Sequence, residues 1–134
     1  MSRTSLAIRV LFASCLLVAT LNHLRADFTQ GWLWDYGYGA SAFWGSRVFW
    51  AALTFLDPLA ALLLFIRPSA GVGLTLAIML ADVANNTWYV ALNNQWLETF
   101  YLSQVVFLIA VLILSPLLWR RAVSTQEPVD GPVR

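Results

Sequence analysis

The chain has 134 residues, of which 60% are hydrophobic and only 11% are charged. A soluble domain carries about 25% charged residues, so this composition indicates a membrane protein. The net charge of +1 predicts no broad attraction to nucleic acid. The single Cys and single His exclude an intrachain disulfide and any multi-cysteine or two-histidine metal site, and we expect neither a metal nor a cofactor.

Four stretches are long and apolar enough to cross a membrane, which takes about 20 mostly apolar residues. They cover residues 5–24, 47–66, 70–92 and 99–119. We predict an all-α polytopic membrane protein in which residues 1–121 form a four-transmembrane-helix bundle with an aromatic-rich outer loop. The polar, proline-containing segment 122–134 is predicted to be a disordered cytoplasmic tail.

The first span begins close to the start of the chain, which raises the alternative of a cleaved signal segment. Arg9 leaves too short an apolar core before Cys15, and apolar residues continue past that cysteine. No small-residue cleavage pattern follows. We therefore expect a retained first helix.

The long connection over residues 27–47 is too interrupted by glycine to form a fifth span. It carries seven aromatic residues between Phe28 and Trp44, together with four glycines. Two interpretations stay open. The aromatic side chains can form a belt at the membrane interface, or they can form a lid over a pocket, with the glycines as hinges.

Short turns join the later spans. In FIRPSAG (65–71), Arg67 and Pro68 are expected to end one helix, and Ser69 is expected to cap the next. The segment NNQWLE (93–98) joins the third span to the fourth.

The distribution of arginine predicts the orientation in the membrane, because cytoplasmic loops carry an excess of positive charge. One side holds Arg3, Arg9, Arg67, Arg120 and Arg121, and the other holds Arg25 and Arg47 with Asp27, Asp35 and Glu98. We predict that both termini are cytoplasmic and that the membrane is a bacterial inner membrane.

Each predicted helix carries one polar stripe, since residues three and four apart share a helix face. A bundle with these stripes facing inward shields them from lipid. The stripes include His23 on the first span, Arg47, Trp50, Thr54 and Asp57 on the second, Asp82, Asn85, Asn86 and Tyr89 on the third, and Tyr101 and Gln104 on the fourth.

Asp57 and Asp82 are predicted to lie near the middle of the membrane. At about 1.5 Å per residue, each lies roughly 16–20 Å from the turn at residues 68–69. A charge at this depth costs about 2.5–3.5 kcal/mol, so the two carboxyl groups must be neutral, paired or hydrated. Two close carboxylates tend to share one proton. We predict that these two acids are the catalytic residues.

The remaining stripe residues predict a pocket in the outer leaflet, floored by the two aspartates. Aromatic walls above a carboxylate floor suit a hydrophobic amine, a sterol-like or isoprenoid molecule, or a lipid head group. The alternative is that the polar side chains hold helices together, at about 0.6 kcal/mol per hydrogen bond. The predicted ligand-binding residues are His23, Arg47, Trp50, Thr54, Asn85, Asn86, Tyr89, Tyr101 and Gln104.

Four spans, a long first outer loop, the tripeptide NHL with His23 at the end of the first span, and the acid Asp57 in the second span occur together in this chain. In this layout the chain resembles the EXPERA family of sterol isomerases and sigma-2-type receptors. The resemblance implies a pocket in which buried acids and aromatic residues bind cationic amphiphiles or move a ring double bond.

Three hypotheses of function follow. The first is a protein that binds a hydrophobic small molecule from the lipid bilayer, with isomerisation or cyclisation in which Asp57 or Asp82 is the protonated acid and the other is the base. The second is a non-catalytic subunit of a larger membrane complex. The third is a proton-coupled transporter protomer that works as a homodimer, because four spans without a repeat need a partner copy.

Overall fold

The computed structural model describes residues 2–124, and their side chains as far as Trp119. Within this range there are four long helices, one short 3₁₀ turn at Gly39–Ser41, and no strand. The predicted all-α four-helix membrane bundle is confirmed. The helices are α1 (Arg3–Gln30), α2 (Trp44–Ile66), α3 (Pro68–Asn93) and α4 (Thr99–Ser124).

All four helices are long and apolar enough to cross a membrane, and each contains one of the spans predicted from the sequence. Helix α4 continues to Ser124, so the first three residues of the predicted tail are helical. The rest of that tail, residues 125–134, lies outside the described residues.

Two helix ends differ from the sequence prediction. Helix α1 runs six residues past the predicted span and ends at Gln30. Gly31 follows as the C-cap, with a positive φ of 93° that suits glycine and an N–H that bonds to the Asp27 carbonyl. Helix α3 begins at Pro68, and no side chain caps it. The expected Ser69 cap was wrong, because proline fits the first helical position, where no N–H partner is required.

Consecutive helices pack side by side along their length, whereas α1 and α4 touch only sparsely. Gly71 brings α3 onto α2, because any side chain there would collide with the backbone at Leu64. Between α1 and α4, the rings of Phe12 and Phe107 meet edge to face with centroids 5.8 Å apart. Three neighbouring helix pairs are therefore tightly packed, and the fourth pair, α1 with α4, is loosely packed.

The interior holds polar groups, and the outside is apolar. Asp57, Asp82 and Asn86 are buried, whereas Val106 and Ile113 on α4 are about two-thirds exposed. Buried polar groups within an apolar core, beneath an apolar exterior, are expected of a bundle surrounded by lipid.

The segment between α1 and α2 folds over the end of the bundle that it shares with the turn at residues 94–98, called here the outer end. Trp34, Tyr36 and Tyr38 turn inward, whereas Phe28 at the end of α1 and Trp44 at the start of α2 are exposed. Both sequence interpretations therefore describe part of this region. The inner aromatic residues form a lid. The exposed ones lie at the positions expected of an aromatic belt at the membrane interface.

Candidate functional site

A cavity of about 670 Å³ lies in the outer half of the bundle and is lined by all four helices and the lid. Its walls include Trp50 of α2, Asn86 of α3 and Gln104 of α4, and it also contains the carboxyl groups of Asp57 and Asp82. Both acids predicted from the sequence therefore line one cavity.

Their relative heights follow from the packing of α2 on α3. The Trp50 indole Nε1 donates to the Asn86 carbonyl oxygen at 3.1 Å, which sets the two helices in register. Because the helices run antiparallel, Asp57 is level with Met79, and Asp82 lies about one helical turn closer to the outer end. Asp57 is the deeper of the two carboxyl groups.

The Asn86 amide uses both of its N–H donors and also its oxygen. Its Nδ2 donates to Asp82 Oδ1 and to Gln104 Oε1, both at 2.9 Å, while its oxygen accepts from Trp50. These bonds join α2, α3 and α4 around the cavity, and they leave the second oxygen of Asp82 without a donor among the described side chains.

Asp57 is placed differently. No hydrogen bond reaches its carboxyl group from any described residue, and His23 of α1 places its Nε2 3.9 Å from Asp57 Oδ2. The other ring nitrogen of His23, Nδ1, lies 2.7 Å from the Tyr36 hydroxyl. The side chain of Asp57 is only 3% exposed, so the floor of the cavity holds a nearly buried acid beside an imidazole.

Stacked aromatic rings cover the outer end of the cavity. Tyr36 stacks on Trp34 and contacts Trp50, with centroids 4.9 Å and 5.0 Å apart, and Tyr38 stacks on Tyr89 at 4.6 Å. Burial raises the pKa of the Tyr36 phenol, and the nearby carboxylates, of which Asp27 contributes most, raise that pKa further. Tyr36 therefore stays protonated at any physiological pH.

The lid is tied down by polar contacts at its edge. Arg47 of α2 lies 3.5 Å from the Asp35 carboxylate and donates to the Gly39 carbonyl at 2.9 Å. The Tyr38 hydroxyl donates to Gln95 in the α3–α4 turn at 3.2 Å. These contacts hold the lid over the outer end of the cavity.

The cavity opens sideways. Among its described lining residues, the exposed ones all belong to α1 or α4, and they lie on either side of the gap where these two helices touch only sparsely. These residues, which we call the portal, are Ser14, Val18 and Asn22 of α1 with Phe100 and Ser103 of α4.

The predicted site residues fall into two groups. His23, Trp50, Asp57, Asp82, Asn86 and Gln104 line the cavity. The others bind neighbouring elements instead: Arg47 holds the lid, Thr54 donates to Asp27 at 2.8 Å, Tyr89 and Asn85 both bond to Ser46, and Tyr101 pairs with Thr87.

Several lining residues carried no signal in the sequence. Ser14, Cys15, Val18 and Ser103 are small or apolar, and a helix face that meets a cavity has the same composition as one that meets lipid. Tyr36 was visible only as one aromatic residue among seven in the loop.

The part of the chain that the structure describes contains no group of three His, Cys, Asp or Glu side chains close enough to hold a metal ion. No protein-family model, no curated protein and no solved structure matches the chain. Function therefore has to be inferred from the cavity itself.

Proposed function

We propose that this protein binds a hydrophobic small molecule, sterol-, isoprenoid- or lipid-like, that enters the cavity from the outer leaflet between α1 and α4. The position of the portal carries this proposal, because the exposed lining residues flank a gap that faces lipid while the lid covers the end that faces water. The volume of about 670 Å³ is in the range of small-molecule pockets.

The cavity also indicates how such a ligand lies. Asp57 and Asp82 are buried at its floor, whereas Phe107 and the portal residue Val18 form an apolar part of its wall. Since the floor offers oxygen acceptors that few protein donors reach, it is complementary to a ligand end that donates hydrogen bonds, such as a hydroxyl or an amine. The apolar body of the ligand would lie along the α1–α4 gap.

The single cysteine provides the test. Cys15 lines the cavity and is a free thiol, so its alkylation by a lipid-soluble maleimide reports access without background. The Val18→Trp variant, which fills the portal, should slow this alkylation at least about tenfold, since thiol reactivity depends on access. Prior incubation with a membrane lipid extract should slow it in the wild type.

Val10→Trp is the matched control, because Val10 is exposed on the same helix but does not line the cavity. Equal alkylation rates in Val18→Trp, Val10→Trp and wild type would contradict lateral access. A charged, water-soluble maleimide that reacts as fast as the lipid-soluble one would place the opening toward water instead.

Acid–base isomerisation or cyclisation is the second candidate, and it agrees with the layout that resembles the EXPERA family. The observation that favours it is the placement of two carboxyl groups and an imidazole on one cavity, with His23 3.9 Å from Asp57. A carboxylic acid that is kept neutral can protonate an alkene while a second carboxylate removes a proton elsewhere.

Such chemistry exchanges carbon-bound hydrogen with solvent. Incubation in D₂O should therefore put deuterium into the ligand, as read by mass spectrometry, and both Asp57→Asn and Asp82→Asn should abolish the label while ligand binding persists. A ligand that stays unlabelled with the wild type would leave a binding protein without this activity.

A role as a subunit of a larger complex, or as a proton-coupled transporter dimer, has less support. Polar stripes on membrane helices can bind a neighbouring chain, but Asn86, Tyr89 and Gln104 find hydrogen-bond partners inside one chain. Those side chains do not need a second subunit to be satisfied.

The proposed orientation keeps the start of α1 and the end of α4 in the cytoplasm of a bacterial inner membrane. It rests on arginine at the inner end, where Arg3 and Arg67 lie, and on the pairing of Arg47 with Asp35 at the outer end. Reporter fusions at each end of the chain test it, and a periplasmic signal from either fusion would contradict it.

A further inference from the structure

His23 joins the outer loop to the floor of the cavity. Its Nδ1 lies 2.7 Å from the Tyr36 hydroxyl, and its Nε2 lies 3.9 Å from Asp57 Oδ2. The three side chains come from three different segments, namely the lid, α1 and α2. They form a line of exchangeable protons that runs from the lid into the middle of the bundle.

We propose that Tyr36 and His23 form a proton relay through which the outer side of the membrane sets the protonation state of Asp57. This goes beyond ligand binding, because it assigns the protein a route for protons that operates whether or not the cavity is occupied.

The relay works through the two neutral tautomers of the imidazole. When Asp57 is ionised, the Tyr36 hydroxyl donates to Nδ1, and the hydrogen on Nε2 faces the carboxylate. When Asp57 is protonated, its O–H faces Nε2, and Nδ1–H donates to the Tyr36 oxygen. Each state satisfies both ends of the imidazole, and neither requires a charged His23 inside the membrane.

One passage moves one proton inward and balances at every atom. The Tyr36 oxygen takes a proton from a hydronium ion, which leaves as water, while its own proton passes to His23 Nδ1, and the Nε2 proton of His23 passes to Asp57 Oδ2. Tyr36 ends as a phenol, His23 as the other neutral tautomer, and Asp57 as a carboxylic acid. A ring flip of His23, or the reverse transfer, resets the relay.

The gap of 3.9 Å between His23 and Asp57 is longer than a hydrogen bond. Proton transfer across it requires a rotation of the carboxyl group or one bridging water, for which the cavity beside both groups has room. The Tyr36–His23 contact is already at hydrogen-bond distance.

The lid holds Tyr36 in a conformation that serves this contact. Tyr36 has a positive φ of 53°, which a bulky residue rarely adopts, and its ring is held between Trp34 and Trp50. Because burial raises the pKa of its phenol, with the nearby carboxylates adding to the effect, Tyr36 keeps the proton that it must pass on.

Other titratable groups surround the relay. Asp82 of α3 faces Asp57 across the cavity, Asp27 lies one turn beyond His23 on α1, and Cys15 and Tyr38 also line the cavity. From α4, the described lining residues contribute no charged group. None of these groups lies between Tyr36 and Asp57, so Tyr36 and His23 set how fast Asp57 takes a proton.

The test is a rapid acid jump on the full-length, ligand-free protein, followed by the infrared carbonyl band of protonated Asp57, which Asp57→Asn identifies by its loss. Tyr36→Phe should slow the appearance of this band at least about tenfold without changing its final amplitude. His23→Ala should slow it as well, and added imidazole should restore the rate.

Tyr38→Phe is the matched control, because it removes a tyrosine hydroxyl from the same lid and cavity but one that bonds to Gln95 and not to His23. A wild-type rate in Tyr36→Phe, an equal slowing in Tyr38→Phe, or a wild-type band that does not respond to pH would each overturn the relay.

Nitrogen NMR of the wild-type imidazole gives a reading that requires no variant. The tautomer of His23 should change together with Asp57 protonation, and a tautomer that stays fixed would also overturn the proposal.

No ligand takes part in these measurements. A result that overturns the relay would therefore not bear on ligand binding. A protein that binds no ligand would not bear on the relay.

Discussion

The Asn86 side chain connects three helices through one amide. Its two N–H groups and its oxygen are each used, by Asp82 on its own helix, Gln104 on α4 and Trp50 on α2. An amide is suited to this position because it donates and accepts at once. Among buried groups in the interior of a membrane bundle, each group that Asn86 satisfies would otherwise lose this partner.

Replacing Asn86 by alanine should therefore destabilise the fold by about 1–3 kcal/mol, since it leaves the Trp50 N–H and a buried carboxylate without a partner. Unfolding in mixed detergent–SDS micelles measures the change. Asn93→Ala is the control, because Asn93 is an exposed residue on the same helix whose amide bonds only to the Tyr89 carbonyl. Equal losses in the two variants would show that the network around Asn86 adds nothing.

Tyr36 gives the folded state a dependence on alkaline pH. Burial, and then the charge of Asp27, raises the pKa of its phenol above the ordinary value of 10.0. The unfolded chain releases this proton near pH 10 and the folded protein does not, so this contribution to stability is complete below that pH and is lost as the pH rises further. Tyr36→Phe should flatten the decline in unfolding free energy above pH 10, and an unchanged slope would contradict this assignment.

At the scale of the helices, the α2–α3 hairpin sets the geometry of the floor. The hairpin turns at Arg67, and Gly71 allows α3 to approach α2 so closely that the backbone of Leu64 occupies the space of a side chain. This approach places Asp57 and Asp82 on the same cavity.

Gly71→Ala should separate the two helices and destabilise the protein by about 1–3 kcal/mol, as overpacking does. Gly73→Ala is the matched control on the same helix, because nothing lies within 4 Å of a methyl group added there. That variant should be neutral or slightly stabilising, since glycine in a helix interior costs about 0.5–1 kcal/mol relative to alanine. The contrast between the two variants is measured by the same unfolding titration, and similar values would contradict the close approach.

Much of this architecture follows from the sequence. The lengths of the apolar stretches and the helical spacing of Asp57, Asp82 and Asn86 predict four spans with polar faces turned inward. The spacing does not distinguish a side chain that faces a cavity from one that bonds to a neighbouring helix. Thr54 and Asn85 therefore share the polar faces but bind Asp27 and Ser46.

Other features required the three-dimensional structure. The positive φ of Tyr36 depends on the whole lid, and no local pattern around residue 36 predicts it. The portal could not be predicted either, because apolar residues such as Val18 have the same composition whether they face lipid or an opening. Helix α3 starts at Pro68 and not after Ser69, because proline suits the first position of a helix.

For the whole molecule, the sparse contact between α1 and α4 is the feature from which binding is inferred. Three helix pairs and the lid enclose the cavity, and the fourth pair leaves it open to the bilayer. Under the proposed function, a molecule dissolved in the bilayer would reach Asp57 and Asp82 by this route without crossing the aromatic lid.

Native mass spectrometry of the detergent-purified protein tests the central claim most directly. The wild type, incubated with a membrane lipid extract, should carry one small hydrophobic molecule per chain. Ser103→Trp, which fills the portal from α4, should lose it, whereas Val106→Trp, at an exposed position on α4 away from the cavity, should keep it. A wild-type protein with nothing bound after this incubation, or a ligand that Ser103→Trp retains in full, would contradict the account.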